Sequence, residues 1–343
     1  MITAALTPMF NTMNIIVIAA VALLGGWLAL RDVVQIGVIA TFVIYLRNFF
    51  QPMRAIAMLY NQLQSALAGA ERIFTVLNSA PSVQDLPGAP PLHRVQGAVK
   101  FDHVSFEYQP DKPILIDVNL DVQPGQTIAL VGPNGAGKPT VISLLSRFYD
   151  VTQGVITIDD LNIRSVQQAS IREQLGIVLQ DTFLFSGSIM DNIRYGRLDA
   201  SEDEIIEAAK LANADHFIRL LPQGYQTFAS EQGHNFSHGQ RQLLAIARAV
   251  LADPRILILD EATSSVDTRT EVHIQEALLR LLEGRTAFVI AHRLGTIRNA
   301  DLVLVISDHH VIEQGTHNEL NALKGFYHHL YMSQFSRSQG KAS

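Results

Sequence analysis

Gly132-Pro133-Asn134-Gly135-Ala136-Gly137-Lys138 decides the fold, read together with its flanks. Before it, Thr127-Ile128-Ala129-Leu130-Val131 is a short apolar run of strand type. After it, Val141, Ile142, Leu144, Leu145 and Phe148 recur at helical spacing, which predicts a helix running through Phe148. Strand, glycine-rich loop and helix match the template G-x-x-x-x-G-K-[ST], which wraps the phosphates of a nucleoside triphosphate. The glycines let backbone N–H groups close round the anion, and Lys138 adds a point charge. The template's last residue, whose hydroxyl reaches Mg2+, is Pro139 here. Its ring carries neither a hydroxyl nor an N–H. Proline is tolerated in a first helical turn, so the helix is expected to form and the metal contact to be lost. Thr140 is a poor substitute ligand, because one step along a helix turns the side chain by ~100°.

The chain has 343 residues, enough for two domains, and a net charge of −6. That acidity disfavours a nucleic-acid partner, whose footprint is basic. There is no cysteine, which excludes disulfides and Cys-ligated zinc. Mean hydropathy is +0.17, with the apolar excess in the first third. Ile15 to Leu30 and Val33 to Leu46 are free of charge, separated by Arg31-Asp32. With neutral flanks each reaches the ~20 residues that cross a bilayer. The first 13 residues hold no Lys or Arg, unlike the charged start of a signal peptide. A membrane hairpin is therefore expected, its second end cytoplasmic because Arg47, Arg54 and Arg72 follow. Leu59, Leu63, Leu67, Ala70 and Phe74 then predict a long amphipathic helix leaving the membrane.

Pro81, Pro87, Pro90 and Pro91 mark residues 78–97 as a linker between the partial transmembrane domain, 1–77, and a second domain, 98–335. Residues 336–343 form a polar tail. In the second domain short β-type runs alternate with helices. Strands are expected at Val99–Phe101, Val104–Phe106, Val118–Leu120, Val155–Ile158, Ile177–Leu179, Ile256–Leu259, Thr286–Ile290 and Leu302–Ile306. Ser201 and Glu204 form a capping box. The pattern is α/β with a mainly parallel core and β-rich additions.

Several chemistry-bearing residues follow buried runs. Asp260-Glu261 ends Ile256–Leu259, where carboxylates suit Mg2+ binding and water activation; in isolation a helix N-cap is the better reading of the pair, and the phosphate loop upstream reverses that preference. His292 follows another such run and is a candidate to contact a γ-phosphate or orient water, although alone it reads better as a structural histidine. Gln180 follows Ile177–Leu179 and is placed to ligate the metal or sense the γ-phosphate. Asn235-Phe236-Ser237-His238-Gly239-Gln240 precedes a helical run, Arg241 to Leu251, and offers either an anion site or an ordinary Ser cap.

In this order the set resembles the ATP-binding cassette (ABC) family over residues 98 to 335. Ser237, Gly239 and Gln240 match its signature Leu-Ser-Gly-Gly-Gln, while Phe236 and His238 depart from it. Asp260 to Asp267 is similar to the catalytic strand and the loop after it, and Tyr108 stands where the family stacks an aromatic ring on adenine. The resemblance implies an α/β P-loop ABC ATPase domain with β-rich and α-helical subdomains, preceded by an all-α membrane hairpin with a long cytoplasmic helix extension. It implies ATP and Mg2+ as cofactors. Tyr108, Gly132, Pro133, Asn134, Gly135, Ala136, Gly137, Lys138, Pro139, Thr140, Gln180, Ser237, Gly239, Gln240 and Asp267 would bind nucleotide. Glu261, His292 and Gln180 would be catalytic, with Gln180 and Asp260 at the metal. Thr140 would meet a phosphate.

The hairpin, Gly69 to Phe74, and Gln180-Asp181-Thr182-Phe183-Leu184-Phe185 resemble an exporter half-transporter. The implied function is ATP hydrolysis coupled to export of an unidentified substrate. A second ABC subunit, identical or different, would complete composite ATP sites. The implied location is the inner or plasma membrane, multi-pass, with the ATPase domain cytoplasmic. Half-transporters normally carry six transmembrane helices, so the chain is expected to be the C-terminal part of one and unable to transport alone. The alternative is a nonhydrolytic regulatory subunit or truncated fragment, with hydrolysis impaired by Pro139.

Overall fold

The computed structural model describes residues 2–179, 182–261, 268–291 and 294–339, in two compact units, Met1–Pro81 and Ser82–Ser343. The first unit is two helices, α1 (Ile2–Ala29) and α2 (Ile36–Leu77). Both are long and apolar enough to cross a membrane, over Pro8–Ala29 and Ile36–Leu77. They pack closely where Gly25 meets α2: a Cβ at that glycine would lie 2.9 Å from Ile39. The second apolar run and the amphipathic stretch expected after it are one continuous helix through Pro52. At 42 residues it extends about 60 Å, twice the ~30 Å bilayer core. Leu59, Leu63, Leu67 and Phe74 along it are exposed.

The second unit begins with β1 (Val99–Gln109), β2 (Lys112–Val122), β3 (Thr127–Val131), α3 (Lys138–Leu145), β4 (Gln153–Ile158), β5 (Leu161–Asn162), α4 (Gln168–Glu173) and β6 (Leu175–Val178). A helical part follows: β7 (Gly187–Ser188), α5 (Ile189–Arg194), α6 (Glu202–Leu211), α7 (Asp215–Leu220), β8 (Phe228–Ala229) and α8 (His238–Ala252). Then come β9 (Ile256–Glu261), α9 (Thr268–Leu282), β10 (Thr286–Ala291), α10 (Leu294–Asn299), β11 (Leu302–Ser307), β12 (His310–Gly315), α11 (His317–Leu323) and α12 (Phe326–Gln339).

The central sheet runs β12-β11-β3-β10-β9-β6, parallel except at the β12 edge. Its strands are apolar on both faces because both are covered. Ile256 and Ile258 of β9, with Phe288 and Ile290 of β10, face the antiparallel sheet β2-β1-β4-β5 and α3. Leu257, Leu259, Ala287 and Val289 face α5, α6, α8 and α9. Ala129, Val131, Val303 and Val305 pack on Ile297, Leu320 and Tyr327.

Three details depart from the sequence reading. Val99–Phe101 and Val104–Phe106 belong to one strand, bulged where His103 takes φ +50°. The exposed strand β12 carries too few apolar residues to be read as one. Helix α3 stops at Leu145, short of Phe148. There Arg147 turns to φ +48° and buries its guanidinium against Asp85, Asp150 and the carbonyls of Val166 and Gln84. This arginine begins a fastening of residues 84–98 within the second unit, onto its sheets and helices. Leu92 N–H donates to Ser170 Oγ at 2.7 Å, and the amides of Gln96, Gly97 and Ala98 all donate to the Asp159 carboxylate.

Candidate nucleotide-binding site

The register of the parallel strands builds the site's floor. Asp260 lies opposite Ile290, and Ile290 opposite Leu130, so β9, β10 and β3 end level. Val178 of β6 lies opposite Leu259 and ends at the same edge. Ligand sites in open α/β sheets lie beyond the carboxyl ends of such strands. From that edge Gly132 leaves β3 with its backbone against β11: a Cβ there would lie 2.1 Å from Ile306 O, which no side chain tolerates. Gly137 caps α3 at φ +102°.

Lys138 folds back across the loop. Its Nζ donates to Gly132 O at 2.8 Å and Pro133 O at 2.9 Å, tying the loop's two ends. The side chain is buried, which pushes its pKa below the usual lysine value, and the negative Asp260 partly offsets that fall. An anion arriving at the loop would stabilise the ammonium and offset the cost of its desolvation. The amides of Gly135, Gly137 and Lys138 are not used in the backbone bonds that shape the loop, in which Ala136 donates to Pro133 O and Thr140 to Gly137 O. They supply donors at the positive end of α3.

Tyr108 stands beside this loop. Its hydroxyl lies 3.2 Å from Thr140 Oγ1, and its ring meets Phe106 and Tyr149 edge to face at 4.8 and 5.0 Å. The ring remains about half exposed, leaving a face for a base. Tyr149 is a partner that the sequence reading missed. It lies in the turn beyond α3, outside any periodic run.

Pro139 is exposed in the first turn of α3, and the helix forms around it. Thr140 is buried and engaged with Tyr108. Gln180 and His292, with Asp267, lie outside the described residues. Glu261 is described only as the last residue of β9. Among the described residues no group of three or more His, Cys, Asp or Glu side chains is placed to hold a metal ion. Of the two residues expected at the metal, Gln180 and Asp260, only Asp260 is described, and the loop has no hydroxyl at 139 to join it. Among the described residues the expected magnesium ligation is thus reduced to Asp260, one protein oxygen short for want of a hydroxyl at 139.

The second expected anion site is the start of α8. Ser237 caps it: Gln240 N–H donates to Ser237 Oγ at 3.2 Å, and Ser237 N–H to Gln240 Oε1 at 2.9 Å. Phe236 is buried in the apolar core of the helical part. Ser237 and Gln240 border a groove of about 860 Å³ shared with Lys210, His216 and His273, while Gly239 is buried. His238 buries its Nδ1 without a hydrogen-bond partner among the described residues.

Residues 115–264 match the family model for ABC transporters. The chain belongs to the ATP-binding cassette transporter family. It is 48% identical over 336 residues, 98% of its length, to an uncharacterized ABC transporter ATP-binding protein of Bacillus subtilis, YfiC. It is 49% identical over 311 residues, 91% of its length, to a fatty acid ABC transporter ATP-binding/permease protein of Mycobacterium tuberculosis. It is 42% identical over 338 residues, 98% of its length, to an ATP-dependent lipid A-core flippase of Syntrophus aciditrophicus. The chain covers 56%, 49% and 56% of those relatives, so it spans about half their length. A solved bacterial Atm1-family ABC exporter with ATP bound superposes with a TM-score of 0.74 at 40% identity, over 88% of this chain and 53% of that one. Two helical spans followed by an ABC ATPase fold are thus what this chain shares with exporters.

Proposed function

We propose that the chain is the ATP-binding and ATP-hydrolysing part of a membrane exporter subunit. The observation that carries this reading is the loop Gly132–Lys138, closed by Lys138 at the end of β3 and level with the Asp260-Glu261 end of β9. When bound there, ATP supplies a phosphoanhydride whose cleavage releases work. The chain's own residues perform separate parts. Lys138 exchanges loop carbonyls for phosphate oxygens. Gly135, Gly137 and Lys138 present amides, and Tyr108 offers a ring to the adenine. Glu261 polarises the attacking water, and His292 contacts the γ-phosphate. Ser237, Gly239 and Gln240 close on the loop of a second subunit, bringing the dipole of α8 to the same anion. Helices α1 and α2 cross the bilayer, and Trp27, with Arg31 3.9 Å from its ring centroid, sits at its interface. The exported substrate is chosen by transmembrane surfaces. The names of two relatives, which specify fatty acid and lipid A-core, support a lipid.

Pro139 favours a second reading, a regulatory subunit that binds nucleotide and leaves hydrolysis to a partner. One experiment separates the two. The full chain is placed in lipid nanodiscs and ATP turnover is measured beside nucleotide binding. Slow turnover lost in Lys138→Ala and Glu261→Gln supports the first reading. Binding without turnover supports the second. Turnover that survives in Lys138→Ala defeats the proposed site.

A further inference from the structure

We propose that this nucleotide site takes its ligand as the free nucleotide anion, without help from magnesium, and that Asp260 opposes binding instead of supporting it. The inference rests on the nucleotide-binding reading above and deepens it.

Three observations converge on it. First, Pro139 is the exposed second residue of α3, and its ring offers the loop no oxygen and no N–H. Second, the adjacent hydroxyl is not available as a replacement. Thr140 is 5% exposed, is turned ~100° round the helix, and has its Oγ1 3.2 Å from the Tyr108 hydroxyl. Freeing it would break that bond. Third, the anionic side of the expected metal pocket is still built. Asp260, next to last in β9, lies in register with Ile290 and so level with Leu130 at the loop's edge, and its charge favours the Lys138 ammonium.

A divalent cation at this edge would do two things. It would supply positive charge to the phosphates, and it would screen the strand-end carboxylate from them. Magnesium demands near-octahedral oxygen ligation and gives up its waters reluctantly. Without the loop hydroxyl the ion has one fewer protein oxygen to hold it in register between phosphate and Asp260. Losing one charge-assisted contact costs roughly 10- to 150-fold in affinity. The cations that remain are Lys138 and the positive end of α3. Neither depends on a metal. Asp260 then faces a polyanion unscreened, so the sign of its effect reverses.

The test measures equilibrium binding of a fluorescent N-methylanthraniloyl ATP to the full chain in nanodiscs, with excess MgCl2 or excess EDTA. For the natural chain the two dissociation constants are expected to agree within about threefold. In Pro139→Thr, magnesium should tighten binding roughly tenfold or more. Pro139→Ala restores the N–H without a hydroxyl, and should stay indifferent to magnesium. Asp260→Asn should tighten binding in the natural chain, and weaken it in Pro139→Thr when magnesium is present. Electron spin resonance of Mn2+ with ATP reads the metal directly. Mn2+ should remain unbound by the natural chain and be captured by Pro139→Thr.

Loss of binding by more than about tenfold in EDTA for the natural chain overturns the inference and leaves the nucleotide reading intact. So does a weakening by Asp260→Asn in the natural chain. Absence of binding in every variant, with and without magnesium, overturns the nucleotide reading itself and the inference with it.

Discussion

Removing the Arg147 side chain should loosen the whole segment 84–98 from the rest of the second unit. This guanidinium is 1% exposed and reaches four partners: Asp85 Oδ1 at 3.0 Å, Asp150 Oδ1 at 3.3 Å, Val166 O at 2.7 Å and Gln84 O at 3.1 Å. The partners lose unequally in Arg147→Ala. Asp85 and Asp150 are 36% and 26% exposed, so water recovers much of their loss. The Val166 carbonyl is buried and is left unpaired, at a cost of ~1–3 kcal/mol. The vacated volume and the released Gln84 add to it. A total near 3 kcal/mol sits at the low end for breaking a buried ion pair. For a unit of this size that is a fall of about 6–12 °C in melting temperature. The only tryptophan, Trp27, lies in the helical hairpin, so its fluorescence does not report this event. Circular dichroism of the full chain in nanodiscs follows the melt. Hydrogen exchange follows Leu92 and Gln96–Ala98, whose amides are tied to Ser170 and Asp159. Arg147→Met, which keeps the stem, should lose less. A melt within about 1 °C of the natural chain, with unchanged exchange over residues 84–98, would refute the reasoning.

Three further outcomes are expected. Burial holds the Lys138 pKa below 10.5, so the ammonium is lost at a lower pH than in a free lysine; nucleotide binding should weaken as pH rises through that lowered value, while Lys138→Arg keeps a flat profile. Burial, reinforced by Arg298, lowers the His317 pKa from 6.5, so its neutral form contributes stability fully above 6.5 and loses it as pH falls through the lowered value; exchange in α11 and α12 should rise on acidification, and less so in His317→Gln. Ser237→Ala removes the capping box of α8, costing about 1 kcal/mol and about 2–4 °C of melting temperature, and a melt unchanged by that substitution would show the cap to be idle.

The parts of the fold that were legible in the sequence are those where local chemistry and tertiary role coincide. Ile256–Leu259 reads as a doubly buried strand, and it lies between β10 and β6 with both faces covered. Gly132 to Lys138 is legible because only glycine fits beside Ile306. The Ser201 and Ser237 caps are legible because a hydroxyl and a Glu or Gln three residues later satisfy the same helix end. Long-range partners are not legible. Nothing near Arg147 in sequence says that Asp85, 62 residues earlier, will meet it. A proline-rich stretch looks like a tether whether or not its amides are held, and only Asp159, Ser170 and Gln174 reveal that these are. Helix α3 ends early for the same reason: Arg147 obeys distant partners, while Phe148 merely continues a period.

Pro139 shows why a fold and its chemistry can part company at one residue. The second position of α3 makes no demand that proline fails to meet, since its φ is helical and its missing N–H would have had no helical acceptor. Gly137 still caps the helix, Val141 still bonds to Gly137 O, and the buried stripe Val141, Leu144 and Leu145 is intact. Stability therefore exerts no pressure against the substitution. The entire penalty falls on a bound polyanion and its counter-ion, which the folded chain does not need. The affected groups are the ones on the phosphate side of the loop, Lys138 and Asp260, whose charges are already coupled across the end of the sheet. A substitution at 139 should accordingly move nucleotide and metal affinity by an order of magnitude while leaving the melting temperature of the ligand-free chain within about 1–2 °C. A large change in that melt would mean that position 139 is structural after all.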